Sequence, residues 1–212
     1  MRPMSEIAEQ KPRKERKENA DRRRRQLLDA ARRSILAHGL TKTTLATVSK
    51  EAGLSQGVAV FYFQSKGGLL RETLRDLYQT YELLWQTAYD QAGADPTARL
   101  MALVEADFDV AACGPDVLPV WFAFWGELRF QQDYDAVADG FDTRRHDIIC
   151  AVLRELLPEA SAPEIDQTAE WIEALSDGYW QRLHLAPGHY NRASACEDCK
   201  TALRRLLPDI LG

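Results

Sequence analysis

The chain has 212 residues, 45% of them hydrophobic and 28% charged, the balance of an ordinary globular protein. No run of eighteen or more uncharged apolar residues is present, which excludes a membrane-spanning helix, and the Lys- and Arg-rich start has no apolar stretch behind it, so a cytoplasmic location is expected. The net charge of −5 hides a division, because residues 1–70 hold 15 Lys and Arg against 7 Asp and Glu while the remainder holds 12 against 25. A basic end on an acidic body is the footprint of a protein that meets nucleic acid through one end only.

Residues 1–18 carry Pro3, Pro12 and many charges with few apolar side chains, and are expected to be a disordered basic arm. Helical spacing begins after Asp21, where Leu27, Leu28, Ala31 and Ile35 share a face, and Gly39 closes the segment. Thr43 and Thr44 offer caps for a second short helix with Leu45, Val48 and Ala52, which stops at Gly53. Ser55 is expected to cap a third helix running from Gln56 to Phe63. Residues 19–65 thus read as a three-helix helix-turn-helix domain, and residues 66–212 as a separate helical body. A long helix opens that body at Lys66 and carries Leu69, Leu70, Leu74, Leu77, Tyr81, Leu84 and Trp85 to a turn at residues 93–96. Further helices are predicted over 97–112, 115–130, 134–157, 163–185 and 191–207, separated by Gly- and Pro-containing turns. No strand-like alternation competes, so the fold class is all-α with about nine helices.

Residues 43–63 join two short amphipathic helices through a glycine turn, the helix-turn-helix pattern. Gly53 permits the sharp turn, and Ala52 keeps the helices close. The recognition helix from Gln56 would then present a first turn of free N–H groups, at Ser55, Gln56 and Gly57, to a phosphate or base edge. The run Ala52-Gly53-Leu54-Ser55, then Gly57, Tyr62-Phe63, Lys66 and Leu69-Leu70 resembles the TetR family of bacterial regulators in order and spacing. Residues 22–30, Phe108-Asp109, residues 121–125 and residues 175–180 look like the BetI-type branch of that family, repressors of choline-to-betaine genes. The resemblance implies that Thr44, Tyr62 and Lys66 contact phosphates of an operator in double-stranded DNA, while Gln56, Val58, Ala59 and Phe61 face the groove. The chain departs from the branch at Val60 and Phe61, where a polar residue and a histidine are expected, so Gln56 is the leading candidate for direct base readout.

The body concentrates aromatic residues. Trp121, Phe124 and Trp125 fall on one helical face, and Trp180 follows Asp177 by three residues. Two such faces meeting at a carboxylate would hold a quaternary ammonium ion, which offers no hydrogen bond and is gripped by ring quadrupoles and charge. The alternative is an aromatic core stripe with Asp177 bonded to Tyr179, Tyr190 or a backbone amide. With the resemblance, the candidate ligand residues are Phe108, Asp109, Trp121, Phe124, Trp125, Asp177 and Trp180, and the ligand is choline or a related compound. A homodimer is expected, its interface built from Trp171, Ile172, Leu175, Leu183, Leu203, Leu206 and Leu207, and with it a palindromic operator. Four cysteines are too few for a disulfide scaffold, and Cys113 and Cys150 read as core packing. Cys196 and Cys199 have CxxC spacing near His184 and His189, but a helical bundle with its own core does not need zinc, and no metal or other cofactor is expected. No phosphate loop, nucleophile elbow or HExxH motif points to an enzyme.

Overall fold

A computed structural model describes residues 13–211, which contain helices and turns but no strand. In chain order the helices are α1 (Arg13–Lys42), α2 (Leu45–Glu51), α3 (Gln56–Phe63), α4 (Lys66–Gln91), α5 (Pro96–Asp107), α6 (Val110–Cys113), α7 (Leu118–Leu128), α8 (Gln132–Leu156), α9 (Ala162–Leu185), α10 (Arg192–Leu206) and α11 (Pro208–Leu211). Nine of them have seven residues or more, and α6 and α11 are single turns. The chain divides into two compact units between Leu70 and Arg71.

In the first unit, Leu27, Leu28, Ala30 and Ala31 on α1 close a core with Val48, Ala52, Ala59, Phe63 and Leu69, every one at 5% exposure or less. Each large side chain buried in this way contributes about 1.5–3 kcal/mol. Gln26 Nε2 donates to the Ala52 carbonyl at 2.6 Å, and the Ser34 and Thr43 hydroxyls meet at 3.0 Å, so polar bonds fix the docking of α1 as well. Gly53 takes φ 65, the left-handed conformation that the turn between α2 and α3 demands.

Two expectations shift here. Of the predicted arm, residues 1–12 lie outside the described residues, and residues 13–18 form the opening of α1, since Arg, Lys and Glu favour the helix that the apolar face continues. The division at 70/71 falls five residues beyond the expected boundary because Leu69 is fully buried in the headpiece core and Lys66 Nζ donates to the Thr41 carbonyl at 2.5 Å.

The second unit is packed around Leu74, Leu100, Leu103, Ile149, Leu153, Ile165 and Leu203, contributed by α4, α5, α8, α9 and α10. The single helix predicted over 97–112 is broken. α5 ends at Asp107, Asp109 is extended (φ −64°, ψ 151°), and its carboxylate caps α6 by accepting the Ala111 N–H at 2.7 Å. The predicted interface set also divides, because Ile172, Leu183, Leu203 and Leu207 are buried in this chain's own core, while Trp171, Leu175 and Leu206 line an open groove with Tyr179, Asp198 and Arg205.

The turn from α3 to α4 is under strain. Gln64 has φ 63° and ψ −44°, and the Ser65 N–H returns to the Phe63 carbonyl at 2.7 Å, which makes a γ-turn of the rare positive-φ type. A Cβ built on Gly68 would run into that same carbonyl, whereas one on Gly67 meets only the Ser65 hydroxyl at 3.8 Å. Gly68→Ala is therefore expected to destabilise the protein by about 1–3 kcal/mol through overpacking, and Gly67→Ala to be neutral or stabilising through helix propensity. Thermal denaturation of the two variants checks the pair, and equal melting temperatures would contradict the packing argument.

Candidate functional site

The exposed face of α3 carries few polar groups. Gln56 and Gly57 are exposed, Val60 is open to solvent, and Phe61 is 78% exposed although it is a large apolar side chain. Ser55 sits at the N-cap with extended backbone angles, but its hydroxyl makes no capping bond, contrary to expectation, so the Ser55 side chain is not committed to the helix. Ala59 must be removed from the predicted groove face, because its methyl is at 0% exposure in the headpiece core, and Val60 takes its place outward. Val58 is half-buried and packs against the same core. Thr44 caps α2, accepting the Thr47 N–H at 3.1 Å while Thr47 Oγ1 accepts the Thr44 N–H at 2.8 Å. Tyr62 donates its hydroxyl to the Ala20 carbonyl at 3.1 Å, and Lys66 reaches back to Thr41. Both are anchored to α1 within the first unit, Tyr62 beside its run of exposed arginines at Arg22, Arg23 and Arg25 and Lys66 at its C-terminal end.

The second unit contains a cavity of about 590 Å³ lined by Tyr78 and Tyr81 from α4, Asp107 from α5, Trp121 and Trp125 from α7, Asp142 and Arg145 from α8, and Asp177 and Trp180 from α9. Its rings form a connected set. Trp121 lies 6.0 Å from Trp125 and 5.9 Å from Trp180, Tyr81 meets Trp180 edge-on at 5.5 Å, and Tyr78 meets Trp121 edge-on at 4.8 Å. Two indole N–H groups lock the walls: Trp121 Nε1 donates to the Ala112 carbonyl at 3.2 Å, and Trp180 Nε1 to the Asp107 carbonyl at 2.8 Å. The break between α5 and α6 supplies acceptors that a continuous helix would have used itself, and the Phe108 carbonyl is likewise taken by Arg192 Nη1 at 2.8 Å.

A buried ion pair forms the cavity floor. Asp107 Oδ1 accepts from Arg145 Nη2 at 2.8 Å and from the Tyr81 hydroxyl at 2.5 Å, and Oδ2 accepts from Ser176 Oγ at 2.7 Å. Arg145 also donates from Nη2 to the Leu103 carbonyl at 3.1 Å and stands 5.6 Å over the Trp85 ring. Burial works against the Arg145 charge, but Asp107 and then Tyr81 outweigh it and raise its proton affinity, while burial first and Asp107 next drive the Tyr81 phenol well above its ordinary range. This pair is neutral overall. The remaining acids are not so balanced.

Asp142 is pushed up to about 6, mainly by burial, although it accepts the Tyr78 hydroxyl at 3.3 Å. Asp177 is also pushed up to about 6, by desolvation first and then by the charges of Asp107, Asp142 and Glu173. Its carboxylate lines the cavity and accepts no hydrogen bond among the described residues, and Tyr179, a partner considered from sequence, donates to Asp198 instead.

Of the predicted ligand residues, Trp121, Trp125, Asp177 and Trp180 come together on the cavity wall. Phe124 does not line it, because its ring is fully buried against Tyr134 of α8. Phe108 is buried beside Tyr179, and Asp109 is spent as the α6 cap. The acid that enters the site from this segment is Asp107. Tyr78, Tyr81, Asp107, Asp142 and Arg145 were missed by sequence reasoning. A three-residue tyrosine spacing on α4, and a charge at Asp107 between Ala106 and Phe108, were the available signals.

Residues 27–73 match the family described as bacterial regulatory proteins, tetR family, and residues 96–208 match BetI-type transcriptional repressor, C-terminal. This chain belongs to the TetR family, with a BetI-type C-terminal domain. HTH-type transcriptional regulator BetI of Burkholderia thailandensis is 38% identical over 176 residues, covering 82% of this chain and 87% of its own. A crystal structure described as a transcriptional regulator from Pseudomonas aeruginosa PAO1 superposes with a TM-score of 0.80 at 25% identity, covering 89% of this chain and 91% of that one. Another, from Saccharomonospora viridis and described as in complex with choline, gives a TM-score of 0.73 at 21% identity over 85% and 95% of the two chains. The family consists of transcriptional regulators that bind DNA and small molecules, and this TetR-family chain is a BetI-type repressor rather than an enzyme.

Removing Asp107 would strand a buried guanidinium, so Asp107→Asn is expected to cost about 3–5 kcal/mol, whereas Tyr81→Phe, which deletes the bond to Asp107 and the 3.3 Å bond accepted from Arg145 Nε, costs about 1–3 kcal/mol. Replacing both partners, Asp107→Leu with Arg145→Met, should recover most of the loss. Urea denaturation of the three variants gives the comparison. A double variant no more stable than Asp107→Asn would show that the ion pair is not the main cause.

Proposed function

We propose that this TetR-family repressor binds a palindromic operator as a homodimer and is controlled by choline or a related quaternary ammonium compound held in the second unit's cavity. The observation that carries the reading is the Asp177 carboxylate, which faces a wall of tryptophan and tyrosine rings without a hydrogen-bond partner among the described residues. Asp177 is open to solvent through the cavity mouth, so a ligand that covers it must supply a counter-charge, and an ion that cannot donate a hydrogen bond is recognised by ring faces and charge together. A desolvated cation gains about 2 kcal/mol from one ring, so two or three rings and one carboxylate suffice for micromolar binding. The choline complex of the Saccharomonospora viridis protein, which shares this fold, agrees in ligand class.

On the DNA side, Thr44, Tyr62 and Lys66 are assigned to phosphates, and Ser55, Gln56 and Gly57 to the groove-entering end of α3. Phe61 and Val60 then offer apolar contact to thymine methyl groups, which leaves Gln56 as the side chain able to make a bidentate base contact. Trp171, Leu175 and Leu206 are the apolar residues left open for a second copy on α9 and α10. The ligand acts by binding one of two body conformations more tightly, since equal affinity for both would shift nothing.

The test is a titration of choline, glycine betaine and unrelated cations into the full chain bound to DNA that it selects from a random pool. Choline should change DNA affinity where unrelated cations do not, and Trp125→Ala and Asp177→Asn should each weaken choline binding about tenfold. Because the cation favours the ionised carboxylate, choline affinity should be flat above pH ~6 and should fall as pH drops through that value. An equal response to all cations, or an Asp177→Asn protein that binds choline as the parent does, would overturn the assignment of the cavity.

A further inference from the structure

The cysteine pair considered from sequence does not assemble a metal site: His184 stacks on Phe122 at 4.5 Å, and Cys196 and Cys199 belong to no metal-type group among the described residues. A different trio does converge. His146 Nε2, Cys150 Sγ and a carboxylate oxygen of Asp166 all lie within 4.8 Å of one another. We propose that His146, Cys150 and Asp166 form a site for a zinc-class divalent transition metal, with Glu173 orienting the imidazole.

The geometry follows from two helices. His146 and Cys150 are four residues apart on α8, so they share a face, and Asp166 approaches from the first turns of α9. Nε2 lies 3.4 Å from Cys150 Sγ and 3.0 Å from Asp166 Oδ1. A tetrahedral zinc with bonds of about 2.0 Å to nitrogen and oxygen and 2.3 Å to sulfur separates its ligand atoms by roughly 3.3–3.6 Å. The nitrogen–sulfur edge already has that length. The nitrogen–oxygen edge needs to open by roughly 0.3 Å and the sulfur–oxygen edge, which lies within 4.8 Å, to settle near roughly 3.5 Å, movements open to an aspartate side chain that is 65% exposed.

The other ring nitrogen supports the same assignment. His146 Nδ1 lies 3.0 Å from Glu173 Oε2, so that carboxylate holds a proton on Nδ1, while the proton that Nε2 shares with Asp166 is the one a metal would displace, the arrangement that metal-binding histidines use to fix tautomer and orientation. One nitrogen, one sulfur and one carboxylate oxygen select a borderline-soft ion over calcium or magnesium, which take oxygen alone. On binding, the metal–sulfur bond replaces the Cys150 S–H bond and that proton leaves to solvent, as does any proton on Nε2, while the carboxylate binds as it stands. Three protein ligands leave a fourth position for water on the exposed Asp166 side. The metal would pin α8 to α9 at the cavity wall, which His146 and Glu173 also line, and the inference holds whatever molecule the cavity takes.

The experiment uses the full chain, stripped with chelator, titrated with Co²⁺ and then with Zn²⁺. One Co²⁺ per chain is expected, with the visible absorption of tetrahedral cobalt and a thiolate-to-cobalt charge-transfer band, both abolished by one equivalent of Zn²⁺. Cys150→Ser should remove the charge-transfer band, Glu173→Gln should keep it and weaken binding by about 10–100-fold, and Cys196→Ser with Cys199→Ser should change nothing. Asp166→Asn, on the surface, tests the site without disturbing the core and should weaken binding at least tenfold. A charge-transfer band that survives in Cys150→Ser, parent affinity in Asp166→Asn with an unchanged circular dichroism spectrum, or no stoichiometric Co²⁺ binding at all would overturn the site.

Discussion

The second unit is organised around a single buried charge pair, and its cost explains the company it keeps. Taking Asp107 and Arg145 out of water is unfavourable unless the remaining lone pairs and N–H groups are also satisfied. Here Tyr81 of α4 and Ser176 of α9 complete the carboxylate, the Leu103 carbonyl of α5 and the Tyr81 hydroxyl take guanidinium protons, and the Asp107 backbone carbonyl holds the Trp180 indole, while Arg145 Nη1 is buried without a hydrogen-bond partner among the described residues. Four helices are thereby tied to one point. The aromatic walls inherit their positions from that point, since Tyr81 and Trp180 are bonded directly to Asp107.

The acids around the cavity form a graded series. Asp107 is fully compensated, Asp142 has one phenol to lean on, and Asp177 has no hydrogen-bond partner among the described residues. Glu173 is engaged with His146. The same residue type thus serves as scaffold at one end of the series and as an unmet demand for positive charge at the other. Neighbours make the difference against the trend of burial, since Asp107 is the most buried of the three and is compensated by the donors and the guanidinium that surround it, whereas Asp142 and Asp177 are more open.

Much of this was legible in the sequence, and the failures have a common physical origin. Helical periodicity and the Gly53 turn located the three headpiece helices, because a half-buried helix must show a 3.6-residue pattern, and the clustering of Trp121, Trp125 and Trp180 near Asp177 located the cavity wall. Periodicity does not say which side of a fully apolar helix faces a void. α7 is apolar nearly all round, so Phe124 was grouped with two cavity-lining tryptophans although it packs into the core against Tyr134. Similarly, Ala59 on the apolar α3 was placed outward and is core, while the exposed Phe61 runs against the usual burial of aromatic side chains. The break at residues 107–109 was missed because it is produced by tertiary bonds to the freed carbonyls, from Trp180 and Arg192, which lie more than seventy residues away in sequence. Arg145 could not be paired with Asp107 from the chain alone for the same reason.

The unpartnered Asp177 has a further consequence for selectivity. On the proposed reading, a neutral molecule with the shape of choline would fill the ring cage equally well, yet it would seal the carboxylate from water without neutralising it. The cavity would therefore reject such an isostere through the penalty it imposes on Asp177 rather than through any clash. Discrimination of this kind needs no extra contact with the correct ligand, and it rests on a single pair of oxygens that no described residue supplies with a donor.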